Sequence, residues 1–454
     1  MREGSLDAPK REALAWQDEA FYDAAKVDAE MRRVFDICHG CRRCFNLCDS
    51  FPRLFTLIDE GPTGELDGVK SEDFSAVVDA CTLCDMCFMT KCPYVPPHPF
   101  NLDFPHLMLR YRAAESRQGK KNFTAGQLAE MDRNGRVAAA VSPLVNWASA
   151  STNTVARRLM EDVAGIDAHA ALPQFHTRTF VLADRGDPVA PNEAAPAFAA
   201  HRKAAFFATC FVNYNKPATG MAARAVLNHI GVATKVSYPG CCGMPFLEQA
   251  EIARVAKQAV KVAAALRALI DDGYDIVTLT ASCGLMLKFE WPLILPDNAD
   301  VKLLADSTYD IDEYVVEIAR THGLPPGLRA LPEGVTVHMA CHARAQNMGP
   351  KAAEMLRLIP DTPVDVIERC SGHGGTFGVL KETRGIAQKV GRPAMRAALS
   401  QARGHIVSDC PLAAAHIVQG ARELASRDGN DLPTREPQHP IEIFARAYSL
   451  LENA

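Results

Sequence analysis

From residue 203 onward, short apolar runs alternate with longer amphipathic stretches. KAAFFATC, ATKVSYPGCC and YDIVTLTASC, then GVTVHMAC, PVDVIERC and GHIVSDC, have the length and composition of buried strands. Between them ATGMAARAVLNHIG, AEIARVAKQAVKVAAALRALIDDG, PKAAEMLRLIP and GIAQKVGRPAMRAALSQARG carry apolar residues at helical intervals. Strands alternating with helices predict parallel sheets with helices packed on them. Every run ends at a cysteine, and the intervals repeat: 31 and 42 residues separate Cys210, Cys241 and Cys283, while 29 and 40 separate Cys341, Cys370 and Cys410. The pattern predicts a duplication. In parallel-sheet folds ligands gather beyond the carboxyl ends of the strands, so Cys210, Cys241, Cys242 and Cys283 are expected in one cleft and Cys341, Cys370 and Cys410 in another.

Upstream the pattern is helical. SEDFSAVVDACTLC has helical spacing with Ser71 as its cap, residues Leu107 to Arg117 predict a helix, and SASTNTVARRLMEDVAG predicts another with a polar start. The prolines of PYVPPHPFNLDFP predict an extended crossing segment. VLADRGDPVAPNEAAPAF reads as a proline-rich linker, which places a domain boundary near residue 200.

A chain of 454 residues, 48% hydrophobic and 23% charged, has material for two or three domains with real cores. Its net charge of -5 excludes the basic footprint of a nucleic-acid binder. The start lacks the apolar stretch of an export signal and no run is long enough to span a bilayer, so a cytoplasmic protein is expected. Against that background fifteen cysteines are abnormal, because thiols in a reducing compartment at this density serve metal or redox chemistry.

CHGCRRCFNLC sets Cys38, Cys41, Cys44 and Cys48 at C-x2-C-x2-C-x3-C, and CTLCDMCFMTKCP sets Cys81, Cys84, Cys87 and Cys92 at C-x2-C-x2-C-x4-C-P. A zinc site takes paired ligands from two places, whereas three cysteines at successive short intervals wrap three corners of an iron-sulfur cube and the remote fourth closes the other cube. One 4Fe–4S cluster is therefore expected on Cys38, Cys41, Cys44 and Cys92, the other on Cys81, Cys84, Cys87 and Cys48. Asp49 stands where proline often follows the fourth cysteine, and the second motif is one residue longer than usual; neither departure removes a ligand. His39, Arg42 and Arg43 in the first loop against Asp85 in the second predict a higher potential for the first cluster, unless those side chains are merely solvated. His98, His106, His169 and His176 lack partners at metal spacing and are expected to pack or face solvent.

The pattern C…CCG…SCG followed by C…CSGHxGTxG…DCP, with CHARAQNMG, VIERCSGHGGTFGVLKE and SDCPLAA as its most specific segments, resembles the CCG-type domains of heterodisulfide reductase-like proteins. The likeness is greatest to the group typified by the C subunit of anaerobic glycerol-3-phosphate dehydrogenase, whose relatives include iron-sulfur subunits of glycolate and lactate oxidising systems. FNLDFPHLMLRYRAAE resembles a branch associated with rubrerythrin-like proteins. The resemblance implies an α+β multidomain fold: a helical lead (1–30), a two-cluster ferredoxin-like domain (31–115), a helical segment and linker (116–200), and two α/β CCG-type halves (201–330 and 331–454). It also implies electron transfer from a partner flavoprotein dehydrogenase of the glycerol-3-phosphate or 2-hydroxy-acid type to quinone or another acceptor. The alternative is a heterodisulfide reductase-like enzyme that acts on a disulfide or supplies a rubrerythrin-like peroxide-defence protein. A redox-sensing scaffold is a third class, but no output domain is recognisable.

Met286 and Ala413 stand where the heterodisulfide reductase pattern has a further cysteine, which counts against heterodisulfide chemistry. Cys210, Cys241, Cys242 and Cys283 still suffice for one cluster. Cys341, Cys370 and Cys410 with His373 form the candidate catalytic set. Whether these three thiols hold a further cluster, with His342 or His373 as fourth ligand, or form a degenerate half in which Ser371 is a turn hydrogen-bonder, stays open. GHGGTFG has the wrong glycine spacing for a dinucleotide loop, so hydride chemistry is assigned to a partner. The segment PIEIFARAYSLLENA is read as a core-capping helix, with an amphipathic contact for a partner or for the inner face of a membrane as the alternative.

Overall fold

Each of the six cysteine-ended runs contains a strand. In the computed structural model, which describes residues 9–120, 122–184, 199, 201–427, 429 and 436–451, they are β1 (Lys203–Phe207), β2 (Ala233–Ser237), β3 (Asp275–Thr278), β5 (Val335–His338), β6 (Val364–Ile367) and β7 (His405–Ser408). The short β4 (Thr308–Asp310) has no signature in the hydrophobic pattern. The first sheet has the order β2-β1-β3-β4 and the second β6-β5-β7, with every pairing parallel. Central β1 and β5 are paired on both edges and buried along nearly their whole length, Thr336 and His338 included.

The duplication extends further than the cysteines indicate. Beside β7, at the place β4 takes beside β3, Gln438 makes a one-residue parallel bridge through Ser408 N–H to its carbonyl and its own N–H to Ile406, both 3.2 Å. A capping box follows each edge: Asp310 with Glu313 opens helix Ile311–Thr321, and His439 with Glu442 opens helix Pro440–Ala447. These closing helices are exchanged. Helix Ile311–Thr321 of the first half packs on Lys351–Leu356 of the second, and Pro440–Ala447 packs on Pro217–Ile230 of the first. Ile311, Tyr314, Val315, Ile441, Ile443 and Phe444 thereby enter one core shared by both halves. The carboxyl-terminal segment is thus a core helix, and the contact-surface alternative is overturned by the burial of its apolar face.

The N-terminal part is helical, without a strand among its described residues: Ala24–Cys41, Ser50–Asp59 and Phe104–Arg117 bracket the two cysteine loops, and their apolar faces share a core with the first half. Ser71 is not the expected cap; its hydroxyl accepts a 2.7 Å hydrogen bond from Arg32, and the helix proper is only Ser75–Asp79. The proline segment is not extended either. It folds back in successive turns that bring Leu102 N–H to the Tyr94 carbonyl at 3.0 Å, which fixed-φ prolines permit as readily as an extended path. From residue 185 the expected linker lies outside the described residues.

Helix Thr154–Ala164 forms as expected, with Asn153 accepting the Ala156 N–H as its cap. It is turned inside out. Val155, Leu159 and Val163, four residues apart, are exposed, whereas Arg157 is buried at 1% exposure and donates to the carbonyls of Asp167, Ala168 and Ala170. Val137, Val141, Leu144 and Trp147 are likewise exposed on the preceding helices Met131–Ala140 and Ser142–Ser149 and the residue joining them.

Candidate metal centres

The first N-terminal cysteines sit where a helix stops. Cys38 and Cys41 lie on the last turn of Ala24–Cys41, which Arg42 ends in the left-handed conformation (φ 53°), and Cys44 and Cys48 follow in turns. A cavity is lined by Cys38, Cys41, Cys44 and, from the other motif, Cys92, with Phe51 and Phe55 on its walls. Burial, and then the charges of Cys92, Cys44 and Cys41, push the Cys38 thiol well up. Cys48 has the other neighbours: burial and then Cys81 raise its thiol to about 12. Cys87 is raised by burial and then by Cys84, Cys81 and Cys48, with Cys44 of the other group acting last. In the second loop Leu83 and Asp85 hold positive φ angles (50° and 62°), and a π-helical turn over Cys87–Lys91 carries the chain to Cys92.

In the first half all four thiols are buried. Thr209 caps the short helix that Cys210 opens, accepting Val212 N–H at 3.1 Å, while Asp132 accepts Cys241 N–H at 3.2 Å and Trp291 donates to the Cys242 carbonyl at 3.0 Å. The sulfurs form two close pairs, Cys210 with Cys241 at 3.8 Å and Cys242 with Cys283 at 3.3 Å. Hydrogen bonds from Cys210 and Cys242, helped by the Gly243 N–H, hold the Cys241 thiol well below its ordinary value, and those same bonds raise its two neighbours. Among the described residues no three His, Cys, Asp or Glu side chains converge on a single-ion site. Each set of four thiols supplies the all-cysteine donor set that a cluster takes.

The second half differs. Cys370 is exposed, and Cys341 and Cys410 are half-buried. Its neighbours are N-terminal: burial and then Cys341 and Cys370 raise Cys84, and Cys370 also acts on Cys48. The second N-terminal quartet therefore abuts the second half. Of the two candidate imidazoles, His342 Nε2 lies 3.4 Å from the Leu83 carbonyl, and the His373 ring faces His416 at 5.8 Å between centroids. Ser371 Oγ accepts a 3.4 Å hydrogen bond from His373 N–H. This local turn is the kind serine commonly stabilises. The Gly372 N–H points at the Cys370 sulfur, 3.3 Å away.

Several side chains at these sites carried no sequence signal. His338, at the end of β5, bonds Ser408 Oγ and the Arg369 carbonyl, each at 3.0 Å, and so ties together the strand ends that deliver Cys341, Cys370 and Cys410. Glu248 packs against Gly375, where a Cβ would stand 2.6 Å from its carboxylate, and burial pushes its carboxyl up to about 7. The Arg42 charge expected to tune the first loop is met by Asp59 at the surface. His106, expected to be inert, is 3.1 Å from both Asp103 and Glu290.

Two parallel cysteine-bearing sheets, related by duplication and fed by a helical eight-cysteine segment, define a class of cysteine-rich redox proteins. Comparison with known proteins narrows the class. The cysteine-rich domain model of the CCG type matches residues 204–288 and again 335–417. The chain is 28% identical over 355 residues to the C subunit of anaerobic glycerol-3-phosphate dehydrogenase from Escherichia coli K12, covering 77% of this chain and 83% of that one. It is 31% identical over 190 residues to lactate utilization protein A of Geobacillus kaustophilus, covering 39% and 74% respectively. An uncharacterized iron-sulfur protein of Methanocaldococcus jannaschii is 29% identical over 227 residues, 49% of this chain and 42% of that one. The chain belongs to the family of CCG cysteine-rich-domain proteins that contains these relatives, and with it goes an iron-sulfur, oxidoreductase-related role.

The His338 clamp has a pH signature. Burial lowers its imidazole from 6.5 to about 4, so the unfolded chain takes up the proton first. Its contribution is complete above pH 6.5 and is lost as pH falls through about 4, by up to roughly 3 kcal/mol. Urea midpoints measured from pH 7 to pH 4 should fall less steeply in His338→Gln than in the wild type, and identical slopes would refute the clamp.

Proposed function

We propose that the chain is an iron-sulfur electron-transfer subunit, accepting electrons from a partner flavin dehydrogenase of the glycerol-3-phosphate or 2-hydroxy-acid type and passing them to quinone or another acceptor. The observation that carries this reading is the grouping of the cysteines, with the second N-terminal quartet against the second-half thiols. Cys38, Cys41, Cys44 and Cys92 would hold one 4Fe–4S cluster of a ferredoxin-like domain, Cys81, Cys84, Cys87 and Cys48 a second, and Cys210, Cys241, Cys242 and Cys283 a third, with divisions near residues 30, 115, 200 and 330. Bound there, the clusters would supply the one-electron carriers needed between a two-electron flavin and a distant acceptor.

The chain's own residues set direction and access. Burial of Cys210, Cys241, Cys242 and Cys283 excludes solvent from the first-half site, and N–H donors such as Gly243, 3.5 Å from the Cys241 sulfur, favour the charged thiolate. Exposed Cys370 makes the second half the place where an acceptor can approach. Cys341, Cys370 and Cys410 are accordingly the proposed exit, with Glu248 beside Cys410 as a group able to exchange a proton near neutral pH. The same exposure favours one second reading, a thiol-dependent reductase acting on a disulfide at Cys370. The names of the relatives point to a dehydrogenase partner rather than to a rubrerythrin-like one.

A peripheral position on a membrane is supported by the inside-out surface of helices Met131–Ala140, Ser142–Ser149 and Thr154–Ala164. No helix among the described residues is long and apolar enough to cross a bilayer. Val137, Val141, Leu144, Trp147, Val155, Leu159 and Val163 nevertheless face outward, with Arg133, Arg136 and Arg158 exposed among them. Apolar stripes with an interfacial tryptophan and flanking arginines suit an anionic lipid surface, and they contrast with a chain of net charge -5. Through Asp132, which binds the Cys241 backbone, and Gly135, which abuts Tyr214, the first of these helices also roofs the first-half site.

Two experiments test these roles. Anaerobic protein reduced with dithionite and freed of excess should be reoxidised by menadione, and Cys370→Ala should slow reoxidation about tenfold without preventing reduction; equal rates would remove the second half as the exit. Vesicles containing phosphatidylglycerol should sediment the protein where pure phosphatidylcholine does not, and Leu159→Glu with Val163→Glu should weaken binding about tenfold or more. Binding that is absent, or indifferent to these changes, would rule out the membrane surface.

A further inference from the structure

A dense group of largely buried charges lies at the second cysteine loop. Arg11 comes from the segment before the first helix, which is strapped across two parts of the molecule: Lys10 N–H donates to Pro96 at 3.2 Å, Leu14 N–H to Leu293 at 2.8 Å, and Trp16 Nε1 to Ile294 at 2.8 Å. The Arg11 guanidinium binds Asp85 through both terminal nitrogens, at 2.7 and 2.9 Å, while its remaining donors reach Asp103 at 2.9 Å and Glu290 at 2.9 Å. It also lies over the Phe88 ring, 4.5 Å from the centroid. Only 10% of its side chain is exposed, against 5% for Asp85 and 3% for Glu290. His106 bridges Asp103 and Glu290 from the other side.

Asp85 is no ordinary salt-bridge partner. It stands between Cys84 and Cys87 in the left-handed conformation, so its carboxylate anchors a strained ligand loop. Its charge is felt by Cys81 within the same quartet and by Cys341 in the second half. A carboxylate at that place opposes the addition of negative charge to either site, and a buried guanidinium paired with it cancels the opposition.

We infer that Arg11 is a positioning and charge-balancing residue for the junction between the second N-terminal quartet and the second-half thiols: by holding and neutralising Asp85 it fixes the Cys84–Cys87 loop and keeps the reduction potential there from falling. The effect is greatest at the second quartet: Cys38, Cys41, Cys44 and Cys92 line a separate cavity to which none of these five charged side chains contributes, and of the five only Asp103 acts on Cys92. The inference rests on the proposed assignment of Cys81, Cys84, Cys87 and Cys48 to a cluster, and it reverses the expectation that the arginines of the first loop do the tuning.

The test is potentiometric EPR on the anaerobically prepared full-length chain. Arg11→Gln should lower the midpoint of the second-quartet signal and move the first much less. Asp85→Asn should raise it, and the pair Arg11→Gln with Asp85→Asn should return it toward wild type, whereas Arg11→Lys should hold most of it. Hydrogen exchange of residues 9–18 should accelerate in Arg11→Gln but not in Arg11→Lys, a readout independent of cluster content. An unmoved midpoint in both single variants, an equal shift of every signal, or failure of the double variant to recover would overturn the inference. Absence of any cluster signal from the wild type would fail the assignment instead. If Arg11→Gln does not fold, Asp85→Asn alone still decides the sign.

Discussion

The reciprocal exchange of the closing helices is the constraint on which the rest depends. A three-stranded or four-stranded parallel sheet cannot cover both of its faces alone, and here each half borrows the last helix of the other. The exchange fuses two small cores into one shared apolar interior. It also fixes the halves with their strand ends directed at a common seam, where Ala281, Ala340 and Ala343 are small enough for close approach. Cys283 and Cys341 lie on the two short helices, Ala281–Leu285 and Cys341–Ala345, that meet at that seam, and the N-terminal segment docks with its second cysteine loop against the second half.

Electrostatics explains why the cysteines demand a metal. Burial and mutual proximity push most of these thiols up, Cys410 to about 11 and Cys48 to about 12, so an empty site keeps its protons. Iron binding requires thiolates, and a multiply charged cluster repays their deprotonation while joining loops that otherwise make few contacts of their own. Cys241 is the exception, its thiolate stabilised by neighbouring thiols and the Gly243 N–H. The first half is thus organised as an enclosed site, and the second, with Ser371 occupied in a backbone turn and Cys370 open, as an accessible one.

Much of this is legible in the chain. Strands show themselves because a buried parallel strand is a continuous apolar run, and the duplication because six cysteines keep their spacing. The cysteine groupings follow from short-range spacing that any loop must obey. What the sequence hides depends on long-range partners. Three-residue β4 is too short for periodicity to register. Helical spacing in Thr154–Ala164 reveals two faces but not which one turns outward, and Arg157 finds its carbonyls only in the folded chain. His338, Glu248 and Arg11 are solitary residues whose roles come from elements 31 to 279 positions away. The decisive serine of CSG is visible, yet its use as a local acceptor requires the backbone geometry.

Whether the grouped thiols carry iron decides the central claim. Iron and acid-labile sulfide should be counted per chain on anaerobically purified protein, with EPR of the reduced form. About twelve irons with matching sulfide, or about sixteen if the second half is also loaded, together with signals broadened by mutual spin interaction, is the predicted result. About two metal ions per chain without sulfide, or zinc in place of iron, would contradict it, because the cysteine groups would then be structural and no chain of redox sites would exist.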